Sequence, residues 1–165
     1  EESNMDQNIT PANMLESTEE PTKLTLAYEK LHEIPKAVVT RFSNHIQYLD
    51  ISHNKITNLD ALVHFVHLTS LIADDNPITE NCCLPPLPKL EILWLNRCKI
   101  ASIYPWVGKL RESCPNLTYL SLMGNPVSLN LKGPGYPGNS HTCVIPKSFS
   151  HTKIFNMFKL FFSLK

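Results

Sequence analysis

The sequence predicts an α/β repeat solenoid, an arc with a short parallel β-sheet on its concave face and helical or irregular returns on its convex side. Three observations predict it. The 165-residue chain holds 22 Leu but only 5 Gly. Four segments share the pattern L-x-x-L-x-L-x-x-N: residues 46–54, 68–76, 90–98 and 117–125. Their closing residues, Asn54, Asn76, Cys98 and Asn125, are separated by 22, 22 and 27 residues, inside the range of about 20–29 residues that marks leucine-rich repeats.

Each element follows from that pattern. The L-x-L centres (Leu49/Ile51, Leu71/Ala73, Leu93/Leu95, Leu120/Leu122) read as short strands whose alternate side chains enter the core. A fainter copy precedes them, with Leu24-Thr-Leu26 as its strand and Glu29 where Asn would stand. Asn54, Asn76 and Asn125 turn the chain out of each strand, and their amides can pair backbone groups that would otherwise be buried alone. Cys98 stands in the same place with a weaker donor. Ile56, Ile78, Ile100 and Val127 should pack behind the turns. Residues 60–67 place Leu62, Phe65 and Val66 at helical spacing. Residues 102–113 carry Pro105 near a helix start, with Val107, Leu110 and Cys114 behind it. That helix accounts for the longer fourth unit. Pro85, Pro86 and Pro88 exclude a regular helix from the return before Leu90.

The strand columns define the concave face. The central column is Thr25, Asp50, Ile72, Trp94 and Ser121. One flank is Lys23, Tyr48, Ser70, Ile92 and Tyr119; the other is Ala27, Ser52, Asp74, Asn96 and Met123. Beyond it run Tyr28, His53, Asp75, Arg97 and Gly124. Trp94 lies mid-array among Ile72, Ile92, Tyr48 and Tyr119, with Asp50, Asp74, Asp75, Asn96, Arg97 and Ser121 around it. An aromatic anchor inside a charged rim is the composition of a protein-binding hot spot. These residues are the candidate partner-binding site.

Charge and cysteine usage narrow the function classes. Fifteen basic and fifteen acidic residues cancel, which argues against a surface devoted to nucleic acid or anionic lipid. The acids on the strand face argue against direct phosphate contact there. The balance hides a split. Residues 1–21 carry six acids and no Lys or Arg, whereas residues 132–165 carry five Lys and no acid. The domain reading is an acidic arm over 1–21, a repeat domain over 22–130, and a Gly/Pro linker with a basic apolar tail over 131–165. Five cysteines, two of them adjacent and none in a C-x-x-C, form neither a disulfide framework nor a zinc ribbon. Reduced, mostly buried thiols are expected. No basic region followed by an apolar run marks a signal peptide, and the expected location is cytoplasmic, with the nucleus as the alternative.

No catalytic constellation, cofactor motif or metal site is expected. His64 and His67 share a helical face, but His53 belongs to the strand side, and Cys82 and Cys83 add no recognised ligand spacing. Gly133-x-Gly135-x-x-Gly138 matches the dinucleotide-binding pattern, yet Pro134 and Pro137 forbid the strand-to-helix turn it needs. Residues 154–164 are mostly apolar, interrupted by Lys159, and too short to span a bilayer. A membrane-interface role for them is the lesser reading.

The blocks Leu71-Ile-Ala-Asp-Asp-Asn76, Leu84-Pro-Pro-Leu-Pro-Lys-Leu90, Leu93-Trp-Leu-Asn96 and Pro115–Asn125 resemble the short-repeat, intracellular leucine-rich proteins of the phosphatase-regulatory and spliceosomal A-prime type. Within that group the chain is most similar to a member linked to pigment-cell differentiation. The resemblance covers about residues 45–127 and implies a non-enzymatic scaffold; a monomer that binds a protein partner is expected. The alternative it implies is a subunit in RNA processing. Members of the group close the array with a C-terminal cap. No such cap is readable after Asn125-Pro126, so an uncapped or alternative C-terminus is expected.

Overall fold

The computed structural model describes residues 21–104, 106–129 and 142–144; the acidic arm, the Gly133–Gly138 pattern and the apolar segment 154–164 lie outside them. Five parallel strands appear in chain order: β1 (Lys23–Thr25), β2 (Tyr48–Asp50), β3 (Ser70–Ile72), β4 (Ile92–Trp94) and β5 (Tyr119–Ser121). Their register pairs Leu24, Leu49, Leu71, Leu93 and Leu120 across the sheet. Lys23, Tyr48, Ser70, Ile92 and Tyr119 fall in one row, and Thr25, Asp50, Ile72, Trp94 and Ser121 in another. This is the α/β repeat arrangement expected from the repeat spacing, including the faint first copy.

Burial explains the leucine skeleton. Leu49, Leu71, Leu93 and Leu120 are fully buried, as are Ile51, Ala73 and Leu95. Ile56, Ile78, Ile100 and Val127 pack behind the turns as expected. Each such side chain gains about 1.5–3 kcal/mol on leaving water.

The backbone ladder runs past the strands. The N–H groups of Leu26, Ile51, Ala73 and Leu95 donate to the carbonyls of Asp50, Ile72, Trp94 and Ser121 at 2.7–2.9 Å. Tyr28, His53, Asp75, Arg97 and Gly124 then all adopt positive φ. In that conformation four of their N–H groups still reach the next repeat, from Tyr28 to Ser52, His53 to Asp74, Asp75 to Asn96 and Arg97 to Met123. Positive φ costs a non-glycine residue about 1–2 kcal/mol, so each turn depends on the pairing around it. Gly124 is the repeat's own exception: a Cβ there would lie 2.8 Å from Arg97 Cγ.

The asparagines satisfy the turn. Asn76 Nδ2 donates to the carbonyls of Ile51, Ala73 and Asp74 at 2.9–3.1 Å, while its Oδ1 accepts from Ile56 N–H at 2.9 Å. Asn54 repeats this one unit earlier, with Leu26, Ile51 and Ser52 as acceptors and Leu31 as donor. Asn125 bonds Leu95, Leu122 and Ile100. Cys98 reaches the carbonyls of Ala73 and Asn96 at 3.5 and 3.6 Å, a weaker version of the same joint.

The returns depart from expectation in three places. Residues 60–64 form a 3-10 helix (Asp60–His64) that buries Leu62; Phe65 is also buried, but Val66 is 50% exposed. The 3-10 turn ends at His64, so the helical spacing that would have carried Val66 inward stops short. The second helix, α2, spans Trp106–Ser113 and buries Trp106 as well as Leu110, with Cys114 buried just after it. A third return, α1 (Lys36–Phe42), follows Pro35, where Val38, Val39 and Phe42 pack half-buried against the core. The proline-rich return before Leu90 forms no helix. After α3 (Pro126–Leu129), the chain comes back as β6 (Thr142–Val144), antiparallel on β5. Thr142–Val144 pair the edge of β5, which would otherwise present unpaired backbone groups.

Burial of the thiols is mixed. Cys98 and Cys114 are buried, Cys82 is intermediate and Cys83 is exposed; these four are free thiols. Burial pushes the Cys98 and Cys114 thiols up to about 11 and about 12, and also raises Cys82. The thiolate is the nucleophile. Brief iodoacetamide treatment of the native chain at neutral pH is therefore expected to label Cys83 and spare Cys98 and Cys114. Peptide mass spectrometry checks this, and the two spared thiols should label fully in denaturant.

Candidate protein-binding face

The strand face carries an aromatic centre. Trp94 and Tyr119 sit side by side in adjacent rows of β4 and β5, ring centroids 5.6 Å apart and planes inclined by 33°. Ile92 is 37% exposed beside them, and Ile72, Tyr48 and Asp50 are half-buried. Met123 extends the apolar surface past β5 at 37% exposure. Tyr48 and Asp50 stand two residues apart on the same face of β2. Burial, then the negative charge of Asp50, hold the Tyr48 phenol above its usual range.

Two side-chain ladders flank this centre, and they sort the expected site residues. The inner ladder joins Asp74, Asn96 and Ser121. Asp74 Oδ1 accepts from Asn96 N–H at 2.8 Å and its Oδ2 from Asn96 Nδ2 at 3.0 Å. Asn96 Oδ1 accepts from Ser121 Oγ at 2.6 Å and from Met123 N–H at 2.9 Å. All three residues are buried. Their polar atoms are spent joining repeats to one another, which sets these three expected site residues apart from the open residues of the face. Strand alternation points them outward, but they meet each other before they meet solvent.

The outer ladder follows the positive-φ column. Tyr28 stacks on His53, centroids 4.1 Å apart and planes within 10°. His53 Nε2 lies 3.4 Å from Asp75 Oδ2. Asp75 takes a two-pronged contact from Arg97, whose Nε lies 2.9 and 3.0 Å from the two carboxylate oxygens and whose Nη2 also donates to Oδ2. The Arg97 hydrogen bonds hold the Asp75 carboxyl below its usual range, and Asp75 in turn raises Arg97. Tyr28 and His53 were not assigned to the site from sequence. The signal was present as the column beyond the strands, and only the left-handed turn brings its members into line.

The lowered Asp75 group has a consequence for pH. A carboxylate whose folded pKa is depressed stabilises the fold above its unfolded pKa and loses that contribution as pH falls through the folded value. Asp75→Asn is expected to remove part of the acid sensitivity below pH ~4. Thermal unfolding of both forms at neutral and acidic pH checks it: the gap between them should shrink on acidification.

Other singled-out residues do not converge. His67 Nδ1 accepts from Lys89 Nζ at 2.9 Å, His53 belongs to the outer ladder, and His64 lies at the end of the 3-10 return. Among the described residues, no helix is long and apolar enough to cross a membrane.

The architecture and known proteins agree. A leucine-rich repeat model matches residues 22–78 and a second matches residues 113–130. Over those residues the array is similar to leucine-rich repeats. Over 82 residues, covering 48% of the chain, the array is 39% identical to the human leucine-rich melanocyte differentiation-associated protein. It is also 39% and 37% identical over 83 residues to the alpha subunit of geranylgeranyl transferase type-2 from Bos taurus and Homo sapiens. The chain spans 41% of the length of the first relative and 14% of each transferase subunit. The transferase likeness is confined to the repeat region of this chain.

Proposed function

We infer that the array is a non-enzymatic interaction module that docks a protein partner on its strand face. The observation that carries this is the Trp94–Tyr119 pair with Ile92 and Ile72, an apolar aromatic surface left partly open on a sheet whose other face is the core. Aromatic residues in such settings dominate binding energy, and a charged rim sets orientation. The outer ladder supplies that rim already paired within itself. Asp50, beside the aromatic centre, meets no cation among the described residues and accepts one hydrogen bond, from Ser52 N–H at 2.9 Å. The refined docking set is therefore Tyr48, Asp50, Ile72, Ile92, Trp94 and Tyr119, rimmed by Asp75 and Arg97. The name of the human relative supports a role in cell differentiation, and an intracellular site of action is part of the same proposal.

A bait comparison tests this reading. The wild-type chain, Trp94→Ala and Asp50→Lys are used to enrich partners, which are identified and then titrated in purified form. Asp50 is the charge probe because a lysine at the buried Asp74 would break the inner ladder. Loss of the same partner from both variants supports strand-face docking. Retention of every partner by both removes it.

A further inference from the structure

We propose that the array carries a second binding site, a cleft between its first two returns that takes a small zwitterion with an apolar body, the chemistry of a free di- or tripeptide. The site lies away from the strand face and does not rest on partner docking there. Shape, a buried hydroxyl and the arrangement of charge carry it.

The walls come from two returns. In α1, Lys36, Val39, Thr40 and the capping residue Ser43 recur at helical spacing and share one side of the helix. Val38 and Phe42 fall on another side and pack against the core. Across the cleft stands the 3-10 return, which contributes Asp60, Ala61 and His64. Glu33, Ile34 and Asn58 complete the lining. The cleft measures about 540 Å³, inside the range of about 300–1,000 Å³ in which small-molecule sites fall.

The lining includes a hydroxyl with nothing to bond. Ser43 is 7% exposed. Its N–H donates to Val39 O at 3.1 Å, but its Oγ meets no hydrogen-bond partner among the described residues. Leaving a buried hydroxyl unpaired is costly. Because Ser43 lines the cleft, that hydroxyl offers an occupant one donor and two lone pairs. Asp60 is held in place by Asn58, whose Nδ2 donates to Asp60 Oδ2 at 2.8 Å and whose Oδ1 accepts from Asp60 N–H at 2.6 Å.

Charge selects the ligand. Glu33 and Asp60 bring two carboxylates to the cleft, and Lys36 brings an ammonium. No ion pair joins Lys36 to either acid among the described residues, so the cleft holds opposite charges apart. A lone cation would face Lys36, and a lone anion would face two carboxylates. A zwitterion suits both, with its ammonium toward Glu33 and Asp60 and its carboxylate toward Lys36. Ile34, Val39 and Ala61 supply apolar surface for the body between the two ends.

Nuclear magnetic resonance titration of the nitrogen-labelled full chain tests this with three probes of one body: Leu-Leu, its C-terminal amide, and acetyl-Leu-Leu-amide. Free Leu-Leu is expected to give amide shifts that saturate below about 10 mM, a weak affinity typical of so small a ligand. The largest shifts should fall in Lys36–Ser43 and Asp60–His64, with Ile92–Trp94 and Tyr119–Ser121 unmoved. Removing the carboxylate charge should weaken binding about tenfold, and removing both charges further. Ser43→Ala deletes the hydroxyl without adding bulk and should weaken Leu-Leu about three- to tenfold, the rest of the spectrum being retained. Lys36→Met, at an exposed position, should make Leu-Leu and its amide bind alike. Absence of saturable shifts overturns the proposal. So do shifts confined to the strand face, acetyl-Leu-Leu-amide binding as tightly as Leu-Leu, or wild-type affinity for Leu-Leu in both variants.

Discussion

Asn76→Ala is expected to lower the unfolding free energy by roughly 4 kcal/mol, because each buried group left unpaired costs about 1–3 kcal/mol. The side chain is 2% exposed. It serves three carbonyls on two repeats and one N–H on the preceding turn, so its loss orphans groups on both sides of the joint. The same chain supplies the control. Cys98 performs this job with a thiol at 3.5 and 3.6 Å, so Asn76→Cys should keep part of the donor function and lose about half as much. In reverse, Cys98→Asn should add close to 1 kcal/mol, the net worth of an ordinary hydrogen bond. Equilibrium urea unfolding of the four proteins checks the series. A loss below 1 kcal/mol for Asn76→Ala would mean that the asparagine column does not hold the repeats together.

The second large effect concerns binding. Trp94→Ala is expected to weaken the purified partner by about 30- to 1000-fold, the range of roughly 2–4 kcal/mol seen when a central aromatic anchor is truncated. Trp94 is half-buried on a sheet whose core row is Leu93, so folding should suffer much less than binding. Val66→Ala is the matched control: Val66 is 50% exposed on the return side and belongs to neither ladder. Isothermal titration should show its affinity within about twofold of wild type, as befits a substitution outside the contact. Equal losses from both substitutions would place binding elsewhere or make it a general consequence of destabilisation.

The fold was legible because a repeat states its register in every copy. Aligning Leu49, Leu71, Leu93 and Leu120 placed the rows that the sheet pairs, from Lys23 to Tyr119 and from Thr25 to Ser121. The returns were less legible because no repeated constraint acts on them. Val38, Val39 and Phe42 sit in a helix that the repeat pattern does not mark, and Val66 misses the core because a 3-10 turn advances the chain differently from an α-helix. Trp106, which the repeat pattern does not mark, is buried at the start of α2. At the face, alternation located Tyr48, Ile72, Ile92, Trp94 and Tyr119 correctly. It failed for Asp74, Asn96 and Ser121, since period two says which way a side chain points and nothing about a neighbour that closes over it. The hydrogen bonds joining those three residues run between repeats, and pattern alone does not carry them.

Hydrogen–deuterium exchange of the full chain, with and without its purified partner, tests strand-face docking most directly. The account predicts slowed exchange in peptides covering Ile92–Trp94 and Tyr119–Ser121, with the 3-10 return Asp60–His64 unchanged. Protection confined to that return, or to α1 and α2, with the two strands unaffected, would contradict it.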